Sequence, residues 1–184
     1  MKASLAILPF VLGAAEASQE GFQPPKPTKF HEHLKQFEGT WDAVSKFFME
    51  PGKPAVESKG SETGKLVSGG LWLVFDYKGD MFGIPFVGHG VMGYDTHKKK
   101  YVGSWVDSMA TGLFTSEGTC DDKGKVFTSV MEGTDPESGK TMKMKHVSEI
   151  KDADTKTLTF YMDGPDGKEI VMGTIEYKRR KGDK

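Results

Sequence analysis

Beyond Gly39 the chain divides into segments of six to twelve residues in which apolar and polar side chains alternate, and each gap carries turn chemistry. The gaps include EPGKP at 50–54, Ser68 to Gly70, Asp95 to Lys99, Asp121 to Gly124, Asp135 to Gly139 and GPDG at 164–167. Glycine tolerates positive φ in such places, and aspartate bonds its own nearby backbone. Gaps this short join antiparallel neighbours, because a parallel return needs a crossover of a dozen or more residues. The pattern predicts about ten strands, beginning near Gly39, Val56, Leu71, Phe86, Tyr101, Leu113, Val126, Thr141, Thr157 and Ile170. An open sheet that wide leaves two unpaired edges, and closure removes both. The expected fold is therefore all-β, an antiparallel up-and-down β-barrel. Glycines 88, 90, 93 and 103 suit its bent strands and close strand approaches. A two-sheet sandwich is the alternative that the same short strands allow.

Ahead of the strands, Thr28 can cap a short helix over KFHEHLKQF, with Phe30, Leu34 and Phe37 on one face and His31, Glu32, Lys35 and Gln36 outward. So short an apolar stripe is stable only against something larger, so the helix is expected to close one end of the barrel. Residues 1–17 differ in kind. Lys2, the apolar run ASLAILPFVLGAA and Ala15-Glu16-Ala17 form a signal peptide pattern with cleavage after Ala17, too short to span a bilayer. Residues 18–27, SQEGFQPPKP, read as a linker, and 28–184 as a single barrel domain. The expected location is exported, periplasmic or secreted, with no membrane span after signal cleavage.

Composition narrows the partners. Lys and Arg number 25 against 26 Asp and Glu, so the net charge of -1 offers no electrostatic case for nucleic acid. Cys120, the one cysteine, excludes an intramolecular disulfide. Its neighbours Asp121 and Asp122 disfavour a thiolate and hence a nucleophilic role. The serine elbow, the phosphate-loop and dinucleotide glycine signatures and HExxH do not occur, and His31-x-His33 on a helix sends its rings apart. No cofactor and no metal are therefore expected.

The candidate site residues are Trp105, Asp107, His89 and His146. In YVGSWVDSM, Tyr101, Gly103, Trp105 and Asp107 share one face, so an inward Trp105 brings Asp107 inward at the strand end. A carboxylate there is paired, hydrogen-bonded or at a wet opening. The competing assignment joins Asp107, Ser108 and Thr111 in a turn network. His89 stands between two glycines, which leave its ring room to meet a ligand, and His146 shares a face with Met142, Met144 and Ile150. Each is equally a satisfied interior or rim histidine. Leu158, Phe160 and Met162 alternate as core, and ten methionines can line a cavity for an oily ligand or simply fill gaps.

GTWD at 39–42 resembles the opening of calycin-type barrels such as lipocalins. There a basic residue on the last strand packs on the tryptophan, which makes Lys178 or Arg179 the partner that the resemblance implies for Trp41. FEGTW at 37–41, GDMFGIPFVGHGVMGYD at 79–95, KYVGSWVDSMATG at 100–112, EGT at 117–119 and GPDGKE at 164–169 resemble the bacterial family catalogued as domain of unknown function 1579. That resemblance implies a small, often exported, lipocalin-like barrel of unassigned role, and it carries over no catalytic residue. The leading functional expectation is a barrel that binds a small, largely apolar ligand; haem on His146 or His89 is a special case, though nothing local demands iron. The alternatives are a structural or protein-interaction barrel without a ligand, and a hydrolase-like enzyme using Asp107 and a histidine as acid and base.

Overall fold

The computed structural model describes residues 23–49, 53–164 and 166–182. The expected signal peptide and the first part of the linker lie outside the described residues. Ten antiparallel strands close into one barrel in meander order. They are β1 (Gly39–Phe47), β2 (Val56–Val67), β3 (Trp72–Met81), β4 (Ile84–Asp95), β5 (Lys100–Asp107), β6 (Phe114–Cys120), β7 (Val126–Thr134), β8 (Thr141–Ile150), β9 (Thr155–Asp163) and β10 (Glu169–Arg179). The barrel, not the sandwich, is the fold, and its seam is the β1–β10 ladder, in which Trp41 faces Arg179 and Ser45 faces Ile175.

Turn chemistry explains the joints. Asp121 accepts backbone N–H bonds from Lys125 and Val126, with Gly124 at φ 69°, and Asp135 accepts one from Ser138, with Gly139 at φ 68°. The tightest hairpin, between β3 and β4, turns on Phe82 and Gly83 at φ 57° and 83°, the sign that a two-residue hairpin matching the strand twist requires.

One end is shut by a single α-helical turn, α1 (Lys29–Glu32), continued as a 3-10 segment over His33–Phe37. Leu34 and Phe37 pack with Leu73, Tyr101, Phe127 and Ile150. His31, expected outward, is instead buried: its Nδ1 accepts the Thr28 backbone N–H at 3.0 Å and lies 2.9 Å from the Thr28 hydroxyl, with the ring edge-on to Tyr94. The helix is so short that capping its first turn folds this side chain back under it. His33 points elsewhere, to the Tyr101 hydroxyl at 2.9 Å.

Between Lys178 and Arg179 the register decides. Arg179 lies opposite Trp41, whose Nε1–H donates to the Phe37 carbonyl at 3.1 Å, and the guanidinium carbon sits 4.0 Å from the Trp41 ring centroid. Its N–H groups also donate to the carbonyls of Glu38, Gln36 and Ala153. One side chain thus ties the last strand to the helix end and to the β8–β9 turn. We predict that Arg179→Met lowers unfolding free energy by about 2–4 kcal/mol with an unchanged denaturant slope, since charged hydrogen bonds contribute about 1.5–3 kcal/mol each and part is regained by water. Urea titration followed by tryptophan fluorescence checks it.

Candidate functional site

Above the sealed end the barrel holds a cavity of about 340 Å³. Alternation sets its lining. Cross-strand partners share a face, so the ladder pairs Phe75–Gly90, Tyr77–Gly88, Gly90–Trp105 and Gly88–Asp107 place all these residues inward. His89, between them in sequence, therefore points out.

The glycines are there for aromatic rings. A Cβ at Gly88 would stand 2.1 Å from the Trp105 ring, and one at Gly90 2.3 Å from the Phe75 ring. The Phe75 and Trp105 rings come within 24° of parallel at 5.8 Å between centroids, and Phe86 continues the row at 6.5 Å from Trp105. Asp107, near the open end, accepts the Trp105 Nε1–H at 2.8 Å and the Met109 backbone N–H at 2.8 Å. The inward placement and the turn role expected as competitors are both present in this one carboxylate. Ser108 completes the turn by accepting the Val87 N–H through its hydroxyl at 3.2 Å.

His146 lies on the cavity wall, 8% exposed, with its ring edge-on to Phe160 at 4.7 Å. Its Nε2 is buried without a hydrogen-bond partner. Burial lowers its pKa to about 4, so it is neutral at physiological pH. Ser129 stands directly opposite it in the β7–β8 ladder, and Ser116 and Ser148 line the same side. Trp105, Asp107 and His146 thus border one cavity. His89 does not: its side chain is more than half exposed on the outer surface, with Nδ1 2.5 Å from an Asp76 oxygen. Both glycine neighbours face the lumen, so the room they create is on the opposite side of the sheet from its ring.

The sequence reading missed the polar group at the cavity floor. Lys156 on β9, 4% exposed, donates to Glu62 on β2 at 2.5 Å. Its ammonium lies 4.5 Å from the Trp41 and Tyr177 ring centroids and 5.0 Å from that of Phe37. Burial lowers the Lys156 pKa against the opposing pull of Glu62, and burial, followed by the Glu62 charge, raises that of Tyr177. The available signal was parity, since Lys156 stands two residues before Leu158 on the alternating face assigned to the core. Cys120 has its thiol pKa raised to about 12, by burial first and the Asp121 charge second. No cluster of three or more His, Cys, Asp or Glu side chains placed for a metal occurs among the described residues.

Fold and site together define a closed ten-stranded barrel with a lined interior cavity. The chain belongs to the family described as protein of unknown function (DUF1579), whose model matches residues 26–179. Among solved structures it is similar to the crystal structure of Rv2717c from M. tuberculosis, with a TM-score of 0.63 and 13% identity over 84% of this chain and 99% of that one. It also matches a redesigned β-barrel at TM-score 0.44, with 14% identity over 81% of this chain and 96% of that one. A de novo fluorescence-activating β-barrel follows at TM-score 0.43, with 16% identity over 80% and 96% of the two chains. No curated protein matches the chain significantly.

Two predictions follow from the buried polar groups. Lys156→Met leaves Glu62 buried and unpaired, and is expected to cost about 3–5 kcal/mol, whereas adding Glu62→Leu restores most of that loss. Chemical denaturation of the two single variants and the double variant closes the cycle. For His146 the native pKa of about 4 lies below the ordinary 6.5, so the unfolded chain binds the proton first. Its stabilising contribution is complete above pH 6.5 and is lost as pH falls toward 4. Relative to His146→Leu, the wild type is expected to lose about 3 kcal/mol between pH 7 and 4, since each pKa unit corresponds to 1.36 kcal/mol. Urea curves at stepped pH that stay parallel for the two proteins would contradict it.

Proposed function

We propose that the protein is an exported barrel that binds a small, largely apolar molecule inside its cavity, with Trp105 as a wall and Asp107 and His146 as polar contacts. The observation that carries this reading is the cavity itself. About 340 Å³ of space lies between aromatic, methionine and leucine side chains, interrupted by a few polar groups. Such a make-up, at the lower end of the roughly 300–1,000 Å³ range of small-molecule pockets, is that of a binding site. The unpartnered Nε2 of His146 supports it further, because a buried polar atom without a partner is costly and a ligand group can relieve that cost.

The open end supplies an entrance. Phe48, Met49, Phe82, Ile84, Met109 and Leu113 are exposed there, at the strand ends and hairpins remote from the helix. A rim of this kind offers an apolar solute a path out of water before it meets the interior. Acid–base catalysis finds less support: Asp107 already binds Trp105 and Met109, and no hydrogen bond joins it to a histidine among the described residues.

The test is native mass spectrometry, with an absorbance spectrum, on mature protein gently purified from an exported preparation. The expected result is excess mass that disappears on denaturation. A clean apo mass, together with no uptake when apolar probes are added, would remove the binding role.

A further inference from the structure

We infer, on the basis of the binding role just proposed, that the ligand is a flat aromatic or conjugated molecule carrying a hydrogen-bonding group, stacked on Phe75 and Trp105 with its polar edge toward His146.

Flatness follows from how the two rings lie. Phe75 on β3 and Trp105 on β5 both lean over β4, where ring atoms come within 2.3 Å and 2.1 Å of the positions that Cβ atoms at Gly90 and Gly88 would occupy. A ring that close to the neighbouring backbone lies down along the wall and does not project toward the barrel axis. With planes within 24° of each other and centroids 5.8 Å apart, the two rings form one aromatic stretch of the cavity lining. A π face accepts another π face by offset stacking, and a planar ligand covers such a wall in one contact. A flexible chain covers it less completely and loses rotamer freedom in doing so.

Polarity follows from the other side of the barrel. Round the closed ring of ten strands, β8 is five strands from β3, so His146 stands across the lumen from Phe75. There the unpartnered imidazole and the Ser129 hydroxyl, directly opposed in the ladder, put donor and acceptor capacity on one side. The cavity of about 340 Å³ suits a small fused-ring skeleton.

The test compares three alcohols, each with ten carbons and one hydroxyl, by calorimetry on the mature protein: 2-naphthol, decahydro-2-naphthol and 1-decanol. The expected result is 2-naphthol binding about tenfold more tightly than either saturated alcohol and about tenfold more tightly than naphthalene, each step matching one stacking or hydrogen-bond contribution. Trp105→Leu, or Phe75→Leu if the first fails to fold, is expected to abolish the preference over decahydro-2-naphthol. His146→Leu, or Ser129→Ala in the same event, is expected to reduce the preference over naphthalene. Equal or tighter binding of a saturated alcohol overturns the inference, as does survival of both preferences in the folded variants. If no probe binds while the native protein carries excess mass, the flat-ligand inference falls and the binding role stands. If no probe binds and the mass is clean, both fall.

Discussion

Closure of ten strands is the constraint on which the rest depends. A ring of eight strands is about as wide as side chains alone fill, so ten leave space unless the inward residues are large. Here many are not. Gly88, Gly90, Ser116, Ser129 and Ser148 all lie on inward faces, and the lumen left over is the cavity. The closed end is treated differently: Leu34, Trp41 and Leu73 are almost wholly buried there, and the helix, the first strand and the last strand are locked through Arg179. One end of the barrel is therefore built as core and the other as a container.

The wall of the container uses a recurring pairing of glycine on one strand with an aromatic ring from its neighbour. Trp105 lies over Gly88 and Phe75 over Gly90, as do Phe114 over Gly133, Phe47 over Gly173 and Tyr77 over Gly60. Each glycine sacrifices strand propensity and gains a surface on which a large ring rests flat. The rings thereby bury area without crossing the lumen, which is why a chain rich in inward aromatics still encloses empty space. Packed upright, the same residues would fill it.

Most of the architecture was legible because strands and turns are local. All ten strand starts expected from alternation fall within two residues of the observed ones, with β4 at Ile84 and β9 at Thr155 each two residues ahead of expectation. Family membership was legible too, from motifs spread along the chain. Facing was harder. Trp105, Asp107 and His146 do border one cavity, but the space that Gly88 and Gly90 leave beside His89 lies on the opposite side of the sheet from its ring, which local sequence alone does not reveal. Lys156 and Glu62 escaped notice because they are 94 residues apart and charged, and only the closed topology makes them partners. Arg179 could not be separated from Lys178 until the β1–β10 register put it opposite Trp41.

The two polar elements of the interior stand in contrasting states, and the contrast bears on where the proposed ligand would sit. The Glu62–Lys156 pair is already closed: the ammonium has its carboxylate at 2.5 Å and aromatic rings round its remaining surface. Opening it for a ligand would strand a buried charge, a penalty of several kcal/mol that few small molecules offset. His146 is neutral and its Nε2 has no partner, so a ligand that bonds it disrupts nothing. The floor therefore acts as a fixed polar plug that ends the cavity, and the upper wall, between His146 and the rings of Phe75 and Trp105, is where a ligand of the kind proposed would add interactions without first breaking any.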